Sequence, residues 1–492
     1  MVKNQLVLIV SICLLTTSIF VSNVYSDGSP LSIRDVIQHA LENNLQLKVD
    51  RISKDIQKEN YNAVSTIFDP KVKAEASVGS TSSKTERDTF RSDIEKLDAS
   101  VSKLIENGDT LLVSLASKRQ KTNPYLPGVI GTQTNISHNL AISYKKPLMK
   151  GKGKDVVTTE IQMEKNNLMS EILRLEQKMI DTITLAQVYY WELYKSKEQL
   201  IAKIKSLELA REFLKTTQEK LDMGLIANNE LLQAQAEVAS REEAVIIAEN
   251  TVKNNQDLLV LYTYGKIQVK EDSLVLTQKP LFEKLKMIQT ETQIQKAMDF
   301  RIDYQIAKFV LENAMISYQY YKNQSLPKVD LNLILSINGD GKSNNVANDQ
   351  FFSGDNYSGQ IGISFEYPWK LRRDKANLAK AMHKKNQAEL SLEKIKQSIV
   401  LDVRKTLRNV LSLEKRFAST KVAQNLAEEK LKMELDRFQS GYSTSYNVLQ
   451  FQRDYTDAMV KNINASVDYQ IARVNLEQST GVTLDVHQIE VQ

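Results

Sequence analysis

The chain has 492 residues, 25% of them charged, and 65 Lys and Arg against 60 Asp and Glu leave a formal charge of only +5. A surplus that small, with both signs interleaved, argues against a nucleic-acid binder and suits the solvated faces of long helices. With 8 Pro and 16 Gly in the whole chain, each marks a place where the backbone must turn.

The N-terminus carries Lys3, an apolar run from Leu6 to Val21, and then Val24-Tyr25-Ser26 before Asp27. This reads as a secretory signal peptide over residues 1–26, the rival being an uncleaved anchor; no basic stop-transfer cluster follows. The single cysteine, Cys13, lies inside the run behind Ile12, a poor lipoprotein signal. The mature chain is therefore expected to have no disulfide and no acyl anchor. No later apolar run reaches the ~18 residues of a membrane-spanning helix.

A first repeat is read over 27–280. Residues 31–69 have helical apolar spacing until Pro70, which stops the helix. Val72, Ala74, Ala76 and Val78 then alternate with Lys71, Lys73, Glu75 and Ser77, predicting a strand near 71–80. Asn107-Gly108 joins two strand-like runs as an inserted hairpin over 97–117. Alternation over 135–146 predicts a further strand, ended by Pro147. Gly151 and Gly153 turn the chain into a long helix over 154–223, free of Gly and Pro, with apolar residues at steps of three and four. At 1.5 Å per residue this rod is roughly 100 Å long, more than a single globular domain can bury, and it reads as coiled coil. Gly224 ends it, and a return helix over 225–264 makes a hairpin with its tip at Met223-Gly224-Leu225.

A second repeat is read over 281–492: helix 293–326, Pro327, strand 328–338, a Gly/Asn/Asp-rich loop 338–359, strand 360–367, Pro368, long helix 371–440, Gly441, return helix 442–480. The halves superpose in order. Ala40 falls on Ala297, Pro70 on Pro327, Pro147 on Pro368, Gly224 on Gly441, Leu232-Gln233 on Leu449-Gln450, and Gly265 on Gly481. The reading is a tandem duplication of helix, strand, loop, strand, long helix and helix.

Strands with one apolar and one polar face fit either an outer-membrane barrel or a half-buried soluble sheet. The rods leave little for a soluble sheet to pack on, which favours the barrel. Four strands cannot close a wide barrel, and an open edge in lipid costs several kcal/mol per unpaired group. Copies must therefore pool their strands, and three would supply twelve.

At this point the chain resembles the TolC-type outer membrane efflux proteins over essentially its whole mature length. The residues carrying the resemblance are Leu31-Ser32-Ile33, Ala40-Leu41-Glu42-Asn43-Asn44, Lys146-Pro147-Leu148 with Gly151, and the tips Lys220–Leu225 and Arg437–Tyr442. Val448-Leu449-Gln450 and Ser479-Thr480-Gly481 complete them. The resemblance implies a mainly α fold with a β-barrel part: a homotrimer with a twelve-stranded barrel in the outer membrane and a long α-helical coiled-coil tunnel crossing the periplasm. Its partners would be a periplasmic adaptor and an inner-membrane pump of RND, ABC or similar class. It implies that Lys220, Met223, Gly224, Leu225, Glu230, Arg437, Gly441, Tyr442, Asn447 and Gln450 surround the periplasmic entrance and its adaptor contact. The family often has acidic residues just past the second tip; Asn447 and Gln450 stand there instead. Glu230 reads either as a first-turn glutamate favouring the helix N-terminus or as a partner of Lys220 or Arg437 that holds the entrance shut.

Other signals weigh less. Lys150–Lys154 lacks the full phosphate-loop pattern. Asn338-Gly339-Asp340-Gly341 is too poor in carboxylates for a calcium loop. His39, His138, His383 and His487 are scattered without ligand spacing. No nucleophile–His–acid set stands out, and neither enzyme nor cofactor is expected. Drug, metal or solute efflux and one-step (type I) protein secretion all fit the channel reading. The competing class is a periplasmic coiled-coil or adaptor-like scaffold without a pore.

Overall fold

The computed structural model describes residues 30–84, 89–123, 131–267, 274–281 and 289–489. The expected signal peptide and Cys13 lie outside them. In chain order the elements are β1 (Pro30–Leu31), α1 (Ile33–Asn43), α2 (Leu45–Ser65), a 3-10 turn (Thr66–Phe68), β2 (Lys71–Lys84), β3 (Thr89–Leu104), β4 (Thr110–Asn123) and β5 (Gln133–Pro147). There follow α3 (Lys154–Val157), α4 (Thr159–Asp222), α5 (Asn228–Tyr264), β6 (Val275–Leu276), α6 (Thr290–Phe300) and α7 (Ile302–Gln324). The last are β7 (Lys328–Gly341), α8 (Asn344–Ser353), β8 (Tyr357–Glu366), α9 (Arg372–Gln439), α10 (Ser445–Thr480) and α11 (Thr483–His487). The chain divides into two compact units. A helical unit takes the chain up to Leu45, Asp181–Met287 and Thr406–Gln478; a sheet unit takes Gln46–Ile180, Ile288–Lys405 and Ser479–Gln492.

In the helical unit, α1 starts at a reciprocal cap. The Asp35 amide donates to Ser32 Oγ at 3.2 Å, and the Ser32 amide donates to Asp35 Oδ2 at 3.0 Å. These Ser32 bonds hold the Asp35 carboxyl below its usual range. The core gathers Val36 and Ala40 of α1, Ala186, Tyr190 and Leu193 of α4, and Leu259 and Val260 of α5, with Leu274 and Val467. β1 pairs in parallel with β6, so the N-terminal strand and residues 274–281 strap across this core. The Gln278 amide donates to the Tyr190 hydroxyl at 2.9 Å, and Lys197 Nζ donates to the Leu274 carbonyl at 2.7 Å. Gly265 closes α5 at φ +70°, where a Cβ would stand 2.8 Å from the Asn43 carbonyl.

In the sheet unit, strands run β2-β3-β4-β5-β7-β8, each antiparallel to the next. This alters the strand count. The hairpin expected as an insertion of unassigned role stands inside the sheet, between β2 and β5, and the described residues supply six long strands, not four. Its turn is fastened at the strand-to-helix corner: the Gly153 amide donates to the Asn107 carbonyl at 3.0 Å, and Lys154 pairs with Glu106 at 2.8 Å. Gly108 has φ +95°, and a Cβ there would run into the Gly151 carbonyl. The loop expected over 338–359 holds α8. Gly339 and Gly341 let that helix rest on β7, since a Cβ on either would strike the backbone of Ala347. Ala297, Ile399 and Val403 form a small core in this unit. Gly481, at φ +76°, lies against Phe300, with a Cβ position 2.9 Å from its carbonyl carbon.

Two helices read as continuous are broken. Helix 31–69 parts at Asn44 (ψ 119°) and helix 293–326 at Arg301 (ψ 123°). The superposition that lays Ala40 on Ala297 lays Asn44 on Arg301. Neither break carries Gly or Pro. Each follows an alanine at 0% exposure, and the breaking residue's amide still bonds that alanine's carbonyl at 2.9 Å. The long helix expected from 154 is interrupted at Thr158.

Candidate functional site at the two hairpin tips

Both tips lie in the helical unit and close in the same way. The Gly224 amide bonds the Leu221 carbonyl at 2.8 Å, and the Leu225 amide bonds Lys220 at 2.9 Å. In the second hairpin Gly441 bonds Phe438 at 3.2 Å and Tyr442 bonds Arg437 at 2.8 Å. These are Schellman closures, with the glycines at φ +74° and +79°. A side chain at either glycine would meet nothing within 4 Å, so the left-handed backbone alone calls for glycine there.

The tips are packed on each other. Phe213 of α4, Ala234 of α5, Phe438 of α9 and Val448 and Leu449 of α10 form one buried cluster, with the two phenyl rings 5.0 Å apart. Lys220 Nζ donates to the Phe438 carbonyl at 2.6 Å and stands 4.1 Å from that ring's centroid. Glu230, in the first turn of α5, accepts from Ser445 Oγ at 2.6 Å, and Ser445 is fully buried. So Glu230 pairs with neither Lys220 nor Arg437: the two tips are joined by a hydroxyl–carboxylate bond and a cation–ring contact. Arg437 stays exposed while reaching Glu434 at 3.3 Å and the Tyr442 carbonyl at 3.4 Å, and Ser443 also bonds Glu434. Asn447 is held by its amide at Thr444 Oγ1, 3.4 Å, and Gln450 bonds Asp454 at 2.9 Å. Met223, Leu225 and Tyr442 project into solvent at 65%, 67% and 78% exposure.

Behind the tips, Arg241 bonds the Ser206 carbonyl at 2.7 Å and Glu237 at 2.9 Å, while Arg453 reaches Glu237 at 3.5 Å. Burial holds the Arg241 guanidinium below its usual range. Sequence reading missed Phe213, Glu434, Ser443 and Ser445, and took Phe438 only as part of the second tip. Only the Glu434–Arg437 spacing of three had a local signature; Ser443 is placed by Glu434 of its own hairpin, and Phe213, Phe438 and Ser445 are defined by the opposite one. Among the described residues no group of three or more His, Cys, Asp or Glu could hold a metal, and no helix is long and apolar enough to cross a membrane.

Residues 294–482 match the sequence profile described as outer membrane efflux protein. No curated protein matches the chain. Among solved structures it is similar to CusC (15% identity, TM-score 0.67, 91% of this chain and 92% of that one). It is also similar to the outer-membrane channel OprN (15%, 0.68, 93% and 93%) and to the Campylobacter jejuni outer membrane channel CmeC (17%, 0.66, 92% and 86%). The second half thus carries the profile of the outer membrane efflux proteins, and over more than nine-tenths of its length the chain has the fold of these outer-membrane channel structures.

Proposed function

We propose that the protein is the outer-membrane exit duct of a tripartite export system. It would pass substrate from an inner-membrane pump and a periplasmic adaptor across the periplasm and the outer membrane. The observation that carries this reading is the two-faced sheet. One face presents Val329, Leu331, Leu333 and Leu335 with Ile361, Ile363 and Phe365, the other Lys328, Asp330, Asn332 and Ser336 with Gln360, Ser364 and Glu366, Ile334 and Gly362 being its non-polar members. Apolar outward and polar inward is what a lipid-embedded wall around water needs. An open sheet cannot stand in lipid, so copies assemble, and three is the number the family resemblance supports. The tandem duplication supports the same reading, since two hairpins per chain give paired tips at one end. The exposed Met223, Leu225 and Tyr442 offer the adaptor an apolar contact. Membrane fractionation and planar-bilayer recording test this. The expected result is a trimer in the outer-membrane fraction that carries ion current. A water-soluble periplasmic protein without current would favour the scaffold reading instead.

A further inference from the structure

We propose that the inserted hairpin, β3 and β4, is part of the transmembrane wall, and that β8 of one copy pairs with β2 of the next in an eighteen-stranded barrel. This rests on the trimeric channel reading above and departs from the twelve strands that the family resemblance implies.

The apolar face makes the case. It is one band across all six strands, not two bands separated by an excursion. On β8 the band comprises Phe365, Ile363, Ile361, Gly359 and Tyr357; on β5, Tyr144, Ile142 and Leu140, beyond which His138 and Ile136 lie under α8. The hairpin continues it without a gap, as Leu111, Val113 and Leu115 of β4 and Val101, Ala99 and Leu97 of β3. It ends on β2 as Val72, Ala74, Ala76 and Val78.

The band also drifts along the strands as a barrel requires. Its centre on β8 is Ile361, opposite Leu333 of β7. Its centre on β2 is level with Glu75, and the register carries that level through Asp98, Ala116 and Asn139 to Asn338 of β7. From Leu333 to Asn338 is five residues over five strand-to-strand steps, or one residue per step. With a rise of about 3.4 Å and a strand spacing of about 4.8 Å, a level membrane then crosses strands tilted by about 35°. Membrane barrels tilt by roughly 35–45°. A hairpin lying outside the wall would have no reason to keep this slope.

Chain direction allows the junction. Six antiparallel strands leave β2 and β8 running oppositely, so β8 of one copy can extend the ladder on β2 of the next. Among the described residues both outer edges are unpaired, and β2 is exposed along its length. Beyond the band the same face carries Glu95 with Arg119 and Arg91 with Asp93, which suits strands emerging into water. Because barrel diameter grows about linearly with strand number, the wall would be about half again as wide as one of twelve strands.

Carrying the one-residue step across the junction sets Ser77 of β2 beside Ser358 or Gln360 of β8, all on the polar face. The test uses the full chain in a Cys13→Ser background with Ser77→Cys plus Ser358→Cys, and Ser77→Cys plus Gln360→Cys. Ser114→Cys plus Ser358→Cys, which draws on β4 in the sheet interior, is the control. Mild oxidation is expected to give disulfide-linked trimers from at least one of the first two pairs and none from the control. Native mass measurement runs beside it. A trimeric mass with no β2–β8 link in either pair overturns the junction and leaves the channel reading standing; a single-chain mass sinks both. Electron microscopy of the unmodified protein in lipid nanodiscs counts the wall directly, and a twelve-stranded wall would overturn the inference whatever the cysteines do.

Discussion

Phe438→Ala removes the ring that joins the two hairpin tips. Phe438 is 3% exposed, 5.0 Å from the Phe213 ring and 4.1 Å from Lys220 Nζ. Deleting a buried phenyl costs about 3–5 kcal/mol, and the aromatic pair and the cation–ring contact are each worth about 0.5–1.5 kcal/mol within that. The Lys220 bond to the Phe438 carbonyl survives, because it uses the main chain. Taking about 3 kcal/mol as the loss in local opening free energy, at about 1.4 kcal/mol per factor of ten, tip amides should exchange with solvent roughly a hundred times faster. Hydrogen exchange at Gly224, Leu225, Gly441 and Tyr442 reads this out. Leu426→Ala, at an α9 position that is 52% exposed, is the control and should leave those rates alone. If Phe438→Ala changes tip exchange no more than Leu426→Ala does, the cluster does not hold the tips together. If the tips also gate the duct, cells carrying the variant should take up bulky antibiotics faster.

Gly224→Ala and Gly441→Ala should each destabilise by about 1 kcal/mol: a non-glycine residue in the left-handed region costs about 1–2 kcal/mol, and the stiffer unfolded chain offsets about 0.4–1 kcal/mol. A raised denaturation midpoint in either would contradict the strain argument. Gly108→Ala should be far worse than Gly79→Ala, because one adds a Cβ against the Gly151 carbonyl at φ +95° and the other adds it in open space. The measure is the yield of heat-resistant oligomer, and equal yields would show that the hairpin turn is not anchored. Burial raises the pKa of the Glu477 carboxyl, with Arg473 opposing. Its ionised form therefore destabilises the fold above that raised pKa, and the cost vanishes below the unfolded value of about 4.3. Glu477→Gln should accordingly raise the melting temperature at pH 8, with the gain shrinking toward pH 4; a gain independent of pH would point to another cause.

Much of this protein was legible without coordinates, because the information is local. Apolar spacing of three and four along 154–223, the long Gly- and Pro-free run over 371–440, alternation around Val72 and Leu333, and the stops at Pro70, Pro147, Pro327 and Pro368 depend on backbone sterics and on which face of an element meets water. Gly224 and Gly441 marked the tips because a left-handed closure needs glycine wherever the helix ends. The breaks at Asn44 and Arg301 left no such mark: each is an ordinary residue held extended by its surroundings.

By itself, then, the sequence determined the order and kind of the elements, the face each would bury and the places where the chain reverses. Only the tertiary structure decided who pairs with whom. It put the hairpin around Asn107-Gly108 into the sheet between β2 and β5, seated α8 on Gly339 and Gly341, and gave Glu230 to Ser445 rather than to Lys220 or Arg437. The Ser445–Glu230 bond spans 215 positions of the chain, and the other two choices follow from register and close approach in the assembled fold, which the local residue pattern does not encode.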